Sequence, residues 1–248
     1  MKRPLGAPGN GSLYHLAHMT ALKIENLAFR YSTTDPDQPF ELRVGRLELA
    51  SGEQMLLTAT SGGGKSTLLS LIAGLVDPQQ GKVEVAGTDI HALRGHARDL
   101  FRGRQIGMIF QTFNLLQGFT AAENIKAALM LAGVSPGEQQ KKAAALLSQL
   151  GIARRNAPVE QLSVGQQQRV AVARAVACGP ALVLADEPTA SLDPENAAKA
   201  IELIQRVCRE SGAALLCVSH DPSMAARFER RERLDALAGA AAAGGVAR

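Results

Sequence analysis

The stretch "LLTATSGGGKSTLL", residues 56–69, decides how the rest of the chain is read. An apolar strand runs into glycines, and "TLLSLIAGL" (67–75) follows as a short helix ending near Gly74. Strand, glycine loop, lysine and a hydroxyl residue opening a helix are what a phosphate-binding loop requires. Glycines permit close approach, so the backbone N–H groups of Gly62, Gly63, Gly64, Lys65 and Ser66 can ring phosphate oxygens. Lys65 can reach the β- and γ-phosphates, and the Ser66 hydroxyl can hold Mg²⁺. Ala59, Thr60 and Ser61 lead into the loop, and Thr67 follows it. The motif expects glycine at position 59. Ala59 fits if its backbone keeps φ negative, which reads as a stiffened loop.

Further along, "ALVLADEP" (181–188) is a continuous apolar run of the kind a buried parallel strand shows, with Asp186 and Glu187 at its C-terminal edge. Two such carboxylates can divide the work. One can coordinate Mg²⁺ through water, while the other activates the water that attacks a γ-phosphate. A glutamine at 187 would leave binding without turnover. Gln111 follows the strand "RQIGMIF" (104–110), and His220 follows "AALLCVS" (213–219); both can point toward the same phosphate. Tyr31, ending the first strand, can stack on adenine. Taken singly, each of these is compatible with an ordinary loop or surface residue.

"LSVGQQQRVAVARA" (162–175) opens another helix, with Ser163 and Gln166 spaced as a capping box. A helix start carries unpaired N–H groups and partial positive charge, so it attracts anions. No lysine stands near in sequence to complete a phosphate site.

The remaining pattern is α/β with a parallel sheet core. "LKIENLAFRY" (22–31) reads as a first strand, then a polar loop "STTDPDQP" (32–39). "FELRVGRLELASGEQMLLTA" (40–59) reads as two strands around the turn "ASGE", and "GKVEVAG" (81–87) as another. Residues 112–170 read as a mostly helical subdomain. Thr120 with Glu123 caps a helix to about Gly133, and Ser135-Pro136-Gly137-Glu138 offers a second capping box for a helix stopping near Gly151. Asp193-Pro194 opens a helix to about Glu210, and Asp221-Pro222 opens one more. The N-terminal residues 1–20 read as a loose leader, with Met19 a second candidate start, and residues 231–248 as a low-complexity tail.

Composition fits a globular chain: 248 residues, 46% hydrophobic, 20% charged and no tryptophan. No run of about 18 apolar residues is long enough to span a bilayer, and the N-terminus lacks a secretion-signal core, so a cytosolic location is expected. Net charge is +4 with pI near 9.1. Much of it sits in Arg94, Arg98, Arg102 and Arg104, then Arg227, Arg230, Arg231 and Arg233, read as solvated faces. Few aromatics are interleaved for base stacking, so no nucleic-acid partner is expected. Cys178, Cys208 and Cys217 lack metal spacing and read as reduced, buried or half-buried thiols.

These motifs, "TSGGGKST", Gln111, "LSVGQQQR", "LVLADEPTASLD" and "VSHD", in this order and spacing, resemble the ATP-binding subunit of an ATP-binding-cassette (ABC) transporter over residues 21 to 230. The resemblance implies a P-loop NTPase (RecA-like) parallel-sheet core with an antiparallel β subdomain and a helical signature subdomain. It implies ATP and Mg²⁺, and a second copy of the chain: two subunits sandwich two ATP head to tail. Each γ-phosphate then lies between one chain's Lys65 loop and the other chain's Ser163, Gly165 and Gln166. By the same resemblance Glu187 is the general base and Asp186 the Mg²⁺ carboxylate, with Ser66 and Gln111 also at the metal. His220 is the switch residue, Gln111 links to the membrane partner, and Asp193 lies in the loop joining the two sites. The signature departs at Val164, where glycine is commonest.

"FQTFNLLQGFTAAENI" (110–125) with "LSVGQQQRVAVARA" most resembles ATPases of bacterial lipoprotein-release and macrolide- or glycolipid-exporting systems. That branch implies a peripheral subunit on the cytoplasmic side of the inner membrane, a separate transmembrane permease and a periplasmic adaptor reached through it. Importers carry similar strings, and a cell-division-type signalling ATPase that transmits force without transport is the alternative. Soluble cassette ATPases of DNA repair or translation carry a long inserted coiled coil or tandem cassettes, and neither is seen.

Overall fold

A computed structural model describes residues 20–31, 40–60 and 62–239. The expected leader through residue 19, Met19 included, the loop 32–39, Ser61 and the tail from residue 240 lie outside the described residues. Two sheets organise the chain. In the first, β1 (Thr20–Arg30) pairs antiparallel with β2 (Glu41–Ala50) on one side and with β4 (Gln80–Val85) on the other; β4 also carries the short β5 (Thr88–Asp89). The second is parallel, in the order β6-β7-β8-β3-β9, from β3 (Gln54–Thr58), β6 (Ile106–Ile109), β7 (Leu182–Asp186), β8 (Ala214–Ser219) and β9 (Arg230–Arg233). The "ASGE" turn therefore joins two sheets and does not close a hairpin, since β3 pairs with β8 and β9.

The inner strands β7 and β8 are apolar along nearly their whole length because both faces are covered. With side chains alternating, Val183, Ala185, Leu215 and Cys217 enter one core while Leu182, Leu184, Leu216 and Val218 enter the other. Each such fully buried aliphatic side chain contributes roughly 1.5–3 kcal/mol. The second core also receives β1, β2 and α1 (Lys65–Ile72). After α2 (Gly95–Gln105) and β6, the first core receives α3 (Ala121–Leu131), α4 (Pro136–Gln149), α5 (Val164–Val176) and α6 (Pro194–Ser211). A terminal α7 (Leu234–Gly239) packs on β2.

Caps formed at two of the three expected boxes. Thr120 Oγ1 accepts from the Glu123 N–H at 3.2 Å while the Thr120 N–H donates back to Glu123 Oε2 at 2.8 Å. Ser163 Oγ accepts from the Gln166 N–H at 3.3 Å, and the Ser163 N–H donates to Gln166 Oε1 at 3.0 Å. At α4 the box does not form. Ser135 is the N-cap and Pro136 takes the first turn, but the Ser135 hydroxyl donates to the Glu138 carboxylate at 3.3 Å and caps no backbone group.

Other differences have local reasons. Helix α2 was not expected: it buries no residue and has no side-chain cap, so it carries no apolar stripe to read. Arg98 and Arg102, expected on a solvated face, lie half-buried and donate to the carbonyls of Ala73 and Gly74, at the C-terminal end of α1, and of Leu93, just before α2. The segment opened by Asp221-Pro222 is a short 3₁₀ turn (Pro222–Arg227). Residues past 230, expected as tail, include strand β9, which pairs with β3, and α7. Cys208 and Cys217 are buried and Cys178 half-buried, as expected.

Candidate nucleotide site

Strand β3 lies between β8 and β9, and its C-terminal end releases the glycine loop at the sheet's carboxyl edge. Gly64 caps α1 with φ 88°, a conformation that suits glycine, and no side chain bonds the helix start. Gly63 is needed for closeness: a Cβ there would stand 3.0 Å from the Thr60 carbonyl oxygen. The non-glycine residues with positive φ do not include Ala59, so the condition for alanine at this position is met.

Lys65 is buried against its own loop. Its Nζ donates to the carbonyls of Ala59 at 3.1 Å and Thr60 at 3.0 Å, and lies 3.6 Å from Glu187 Oε1. Ser66 Oγ donates to Asp186 Oδ2 at 2.9 Å, so two residues far apart in sequence meet. The Thr67 hydroxyl is 3.4 Å from the Tyr31 phenol oxygen. Tyr31 is 44% exposed and stands edge-on to Phe29, with Phe40 on its other side, leaving ring surface for a stacked base.

Glu187 follows β7 at φ 46°, a left-handed conformation uncommon for a residue with a Cβ. Its N–H donates to the Val218 carbonyl at 2.9 Å, which extends the β7–β8 ladder and holds the turn. The residue is only 8% exposed, and its carboxylate is gripped by polar groups. Oε2 accepts from Ser219 Oγ at 3.1 Å and from the His220 N–H at 3.3 Å, and Oε1 lies 2.6 Å from His220 Nδ1. A carboxylate this buried requires such partners. Backbone strain and a dense hydrogen-bond grip on one acid mark a functional position.

Ser66 Oγ and Asp186 Oδ2 form an all-oxygen pair, the donor set a hard divalent cation prefers. No cluster of three or more His, Cys, Asp or Glu suited to a metal exists among the described residues. Mg²⁺ keeps waters and substrate phosphate in its shell and takes one or two protein ligands, which the Ser66–Asp186 pair could supply. The residues fit Mg²⁺. Gln111 is exposed, and its side chain makes no hydrogen bond to these carboxylates among the described residues; its carbonyl accepts from Ser191 Oγ at 3.2 Å.

Ser163, Gly165 and Gln166 are placed elsewhere. Val164, 55% exposed, and Gly165 open onto a cleft of about 940 Å³ shared with Ser191, Asp193 and α6. Ala59, Thr60, Gly63 and His220 line a different cleft of about 550 Å³. No hydrogen bond joins the two groups among the described residues. Asp193 caps α6, accepting from the Asn196 N–H at 3.1 Å, and hydrogen bonding to Asn196 holds its carboxyl below the usual range.

Two contributors were missed from sequence. Ser219, which steadies Glu187, is signalled only as a lone hydroxyl in an apolar strand. Ser191 lay inside a quoted motif, but its hold on Gln111 is a contact across 80 residues and leaves no local trace.

The family model described as ABC transporter matches residues 42–190. The chain is 38% identical over 221 residues to the lipoprotein-releasing system ATP-binding protein LolD of Pseudomonas syringae pv. tomato, covering 89% of this chain and 97% of that one. It is 41% identical over 180 residues to the ABC transporter ATP-binding protein YtrE of Bacillus subtilis, covering 72% and 78%. Among solved structures, the dimeric post-hydrolysis state of the ATP-binding cassette MJ0796 bound to ADP and Pi superposes with a TM-score of 0.74 at 32% identity, over 86% of this chain and 93% of that one.

Proposed function

The chain belongs to the ABC transporter family as an ATP-binding subunit that hydrolyses ATP, and from that premise we propose that two copies close head to tail around two ATP and drive a separate permease. The observation that carries this reading is the separation of two half-sites. One chain presents a phosphate loop with its acid, and presents its capped α5 start in a different cleft. A helix start binds anions but cannot alone orient a nucleotide. A second copy supplies what is lacking, and the dimeric cassette similar to this chain supports the arrangement.

In this mechanism the N–H groups of the loop and Lys65 hold the β- and γ-phosphates, and Tyr31 stacks on adenine. Ser66 and Asp186 would hold Mg²⁺, with Gln111 as a further candidate ligand, and the ion would neutralise phosphate charge. Glu187 takes a proton from the attacking water. His220, fixed through Nδ1 by Glu187, steadies the γ-phosphate. Loss of γ-phosphate removes the anion that bridges the two copies, so the dimer opens. Asp193 of each copy links the two sites.

The permease docks on a groove lined by Gly103, Ile106, Met108, Phe110, Leu131 and Cys178, beside exposed Met130 and Leu131. Likeness to LolD supports export or extraction of a lipoprotein or other lipophilic substrate, with a periplasmic adaptor reached through the permease. Among the described residues no helix is long and apolar enough to cross a membrane, and the subunit sits peripherally on the cytoplasmic face of the inner membrane. The test is affinity purification of the tagged chain from detergent-solubilised membranes of its source. An integral membrane permease should co-purify and stimulate ATP turnover. Recovery of the chain with no membrane protein would overturn the transport reading.

A further inference from the structure

Arg174 is a residue of the quoted signature stretch that the site above does not use. It stands in the last turn of α5, roughly 16 Å along the axis from Ser163 at 1.5 Å per residue. Its guanidinium donates through one nitrogen to the Asn114 carbonyl at 2.5 Å and through the other to the Phe113 carbonyl at 2.7 Å. No carboxylate pairs with it among the described residues, and burial pulls its very high pKa down.

The two acceptors are unusual. Phe113 and Asn114 carry φ of 60° and 46°, two successive left-handed residues just past Gln111. A Cβ disfavours that region, for Phe more than for Asn. Local bonds only partly fix it: the Phe113 N–H reaches the Phe110 carbonyl at 3.1 Å and the Asn114 N–H reaches the Thr112 carbonyl at 2.7 Å. The planar fork of one arginine takes both carbonyls, one through each terminal nitrogen, in a fixed relative direction. From the other side Ser191 holds the Gln111 carbonyl. Strand β6, which leads to Gln111, lies in backbone contact with the same end of α5: a Cβ on Gly107 would fall 2.2 Å from the Ala175 carbonyl oxygen.

We propose that Arg174 is a positioning residue that makes the segment after Gln111 and helix α5 move as one body, so that a displacement of Gln111 reorients Ser163 and Gly165. A packed helix is rigid along its length, and the fork leaves the strained turn one arrangement relative to it. The proposal rests on the shared-site reading above.

The test uses Arg174→Met and Arg174→Lys, each alone and in a Glu187→Gln background. Arg174→Met should keep monomer ATP affinity within about twofold, raise the ATP concentration for half-dimerisation roughly tenfold and lower kcat by a similar factor, as expected for lost charge-assisted hydrogen bonds. Arg174→Lys, which keeps the charge and one hydrogen bond, should fall between Arg174→Met and wild type. Dimerisation and kcat at the parent level in Arg174→Met with a parent-like melting transition would overturn the proposal. So would equal losses in monomer affinity and dimerisation, which mark a merely structural role. If Arg174→Met does not fold, hydrogen exchange on Arg174→Lys decides. Protection of 112–116 and 163–167 should rise together on ATP in the parent and separately in the variant; joint rise in both overturns the coupling. A Glu187→Gln protein that does not dimerise with ATP defeats the shared-site reading itself, whatever Arg174 does.

Discussion

His220 Nδ1 stands 2.6 Å from Glu187 Oε1, while the His220 backbone N–H donates to the other oxygen of the same carboxylate at 3.3 Å. One residue therefore grips the acid twice, and the acid in turn fixes the imidazole. Nδ1 is committed to the carboxylate, leaving Nε2 as the nitrogen that can face a phosphate. The ring is 59% exposed whereas Glu187 is nearly enclosed, so the pair has a fixed root and an open face. The residues proposed as proton acceptor and phosphate contact are thus joined by one hydrogen bond.

Glu187→Gln preserves the side-chain volume and an oxygen acceptor for Ser219 and the His220 N–H, so the fold should persist. It removes the carboxylate proposed to accept water's proton. ATP-dependent dimerisation should remain while turnover falls by about 10²–10⁴-fold. Steady-state phosphate release measures it, and hydrolysis near the wild-type rate would refute the assignment of the base.

Lys65→Ala deletes the cation that spans the loop carbonyls of Ala59 and Thr60 and approaches Glu187. ATP affinity, followed by calorimetric titration, should drop by roughly tenfold or more, the effect of losing charge-assisted contacts to phosphate. Unchanged affinity would refute the phosphate-loop assignment.

Ser163→Arg removes an N-cap, costing about 1 kcal/mol, and sets a cation at a helix start that favours anions. The position lies away from the chain's own phosphate loop, so monomer ATP binding should stay as in the wild type. Sedimentation with ATP in a Glu187→Gln background should show the dimer lost. An undiminished dimer would contradict the shared site.

Acid should act through Asp77 as well. Hydrogen bonding to His91, then the Arg98 charge, holds this carboxyl below its ordinary value of 3.8. The stabilising contribution is complete above the unfolded value and is lost as pH falls through the lower folded one. Asp77→Asn should therefore melt earlier than wild type near neutral pH, and the gap should close below about pH 4. A gap independent of pH would show that the ion pairs contribute nothing.

The chain's local chemistry was legible in one dimension. Strands β7 and β8 were readable because burial on both faces demands unbroken apolar runs, and α3 and α5 because Thr120–Glu123 and Ser163–Gln166 satisfy their own helix starts within a few residues. The glycine loop and the acids after β7 were readable because each depends on neighbours in sequence. Helix α2 was not, since its half-buried arginine stems pack where an apolar stripe would have been the signal.

Sequence alone set out the candidates for the chemistry: a glycine loop with its lysine and serine, two acids at the end of β7, and a capped helix start. Only the tertiary structure decided which of them meet. The parallel sheet orders its strands β6-β7-β8-β3-β9, so the ends of β3, β7 and β8 become neighbours and bring Lys65, Glu187 and His220 together. The same packing turns Val164 and Gly165 at the start of α5 to another cleft and lays Arg174 across the turn after Gln111. Such contacts are set by strand order and helix packing, and strand order is a property of the whole core that no local run of residues encodes.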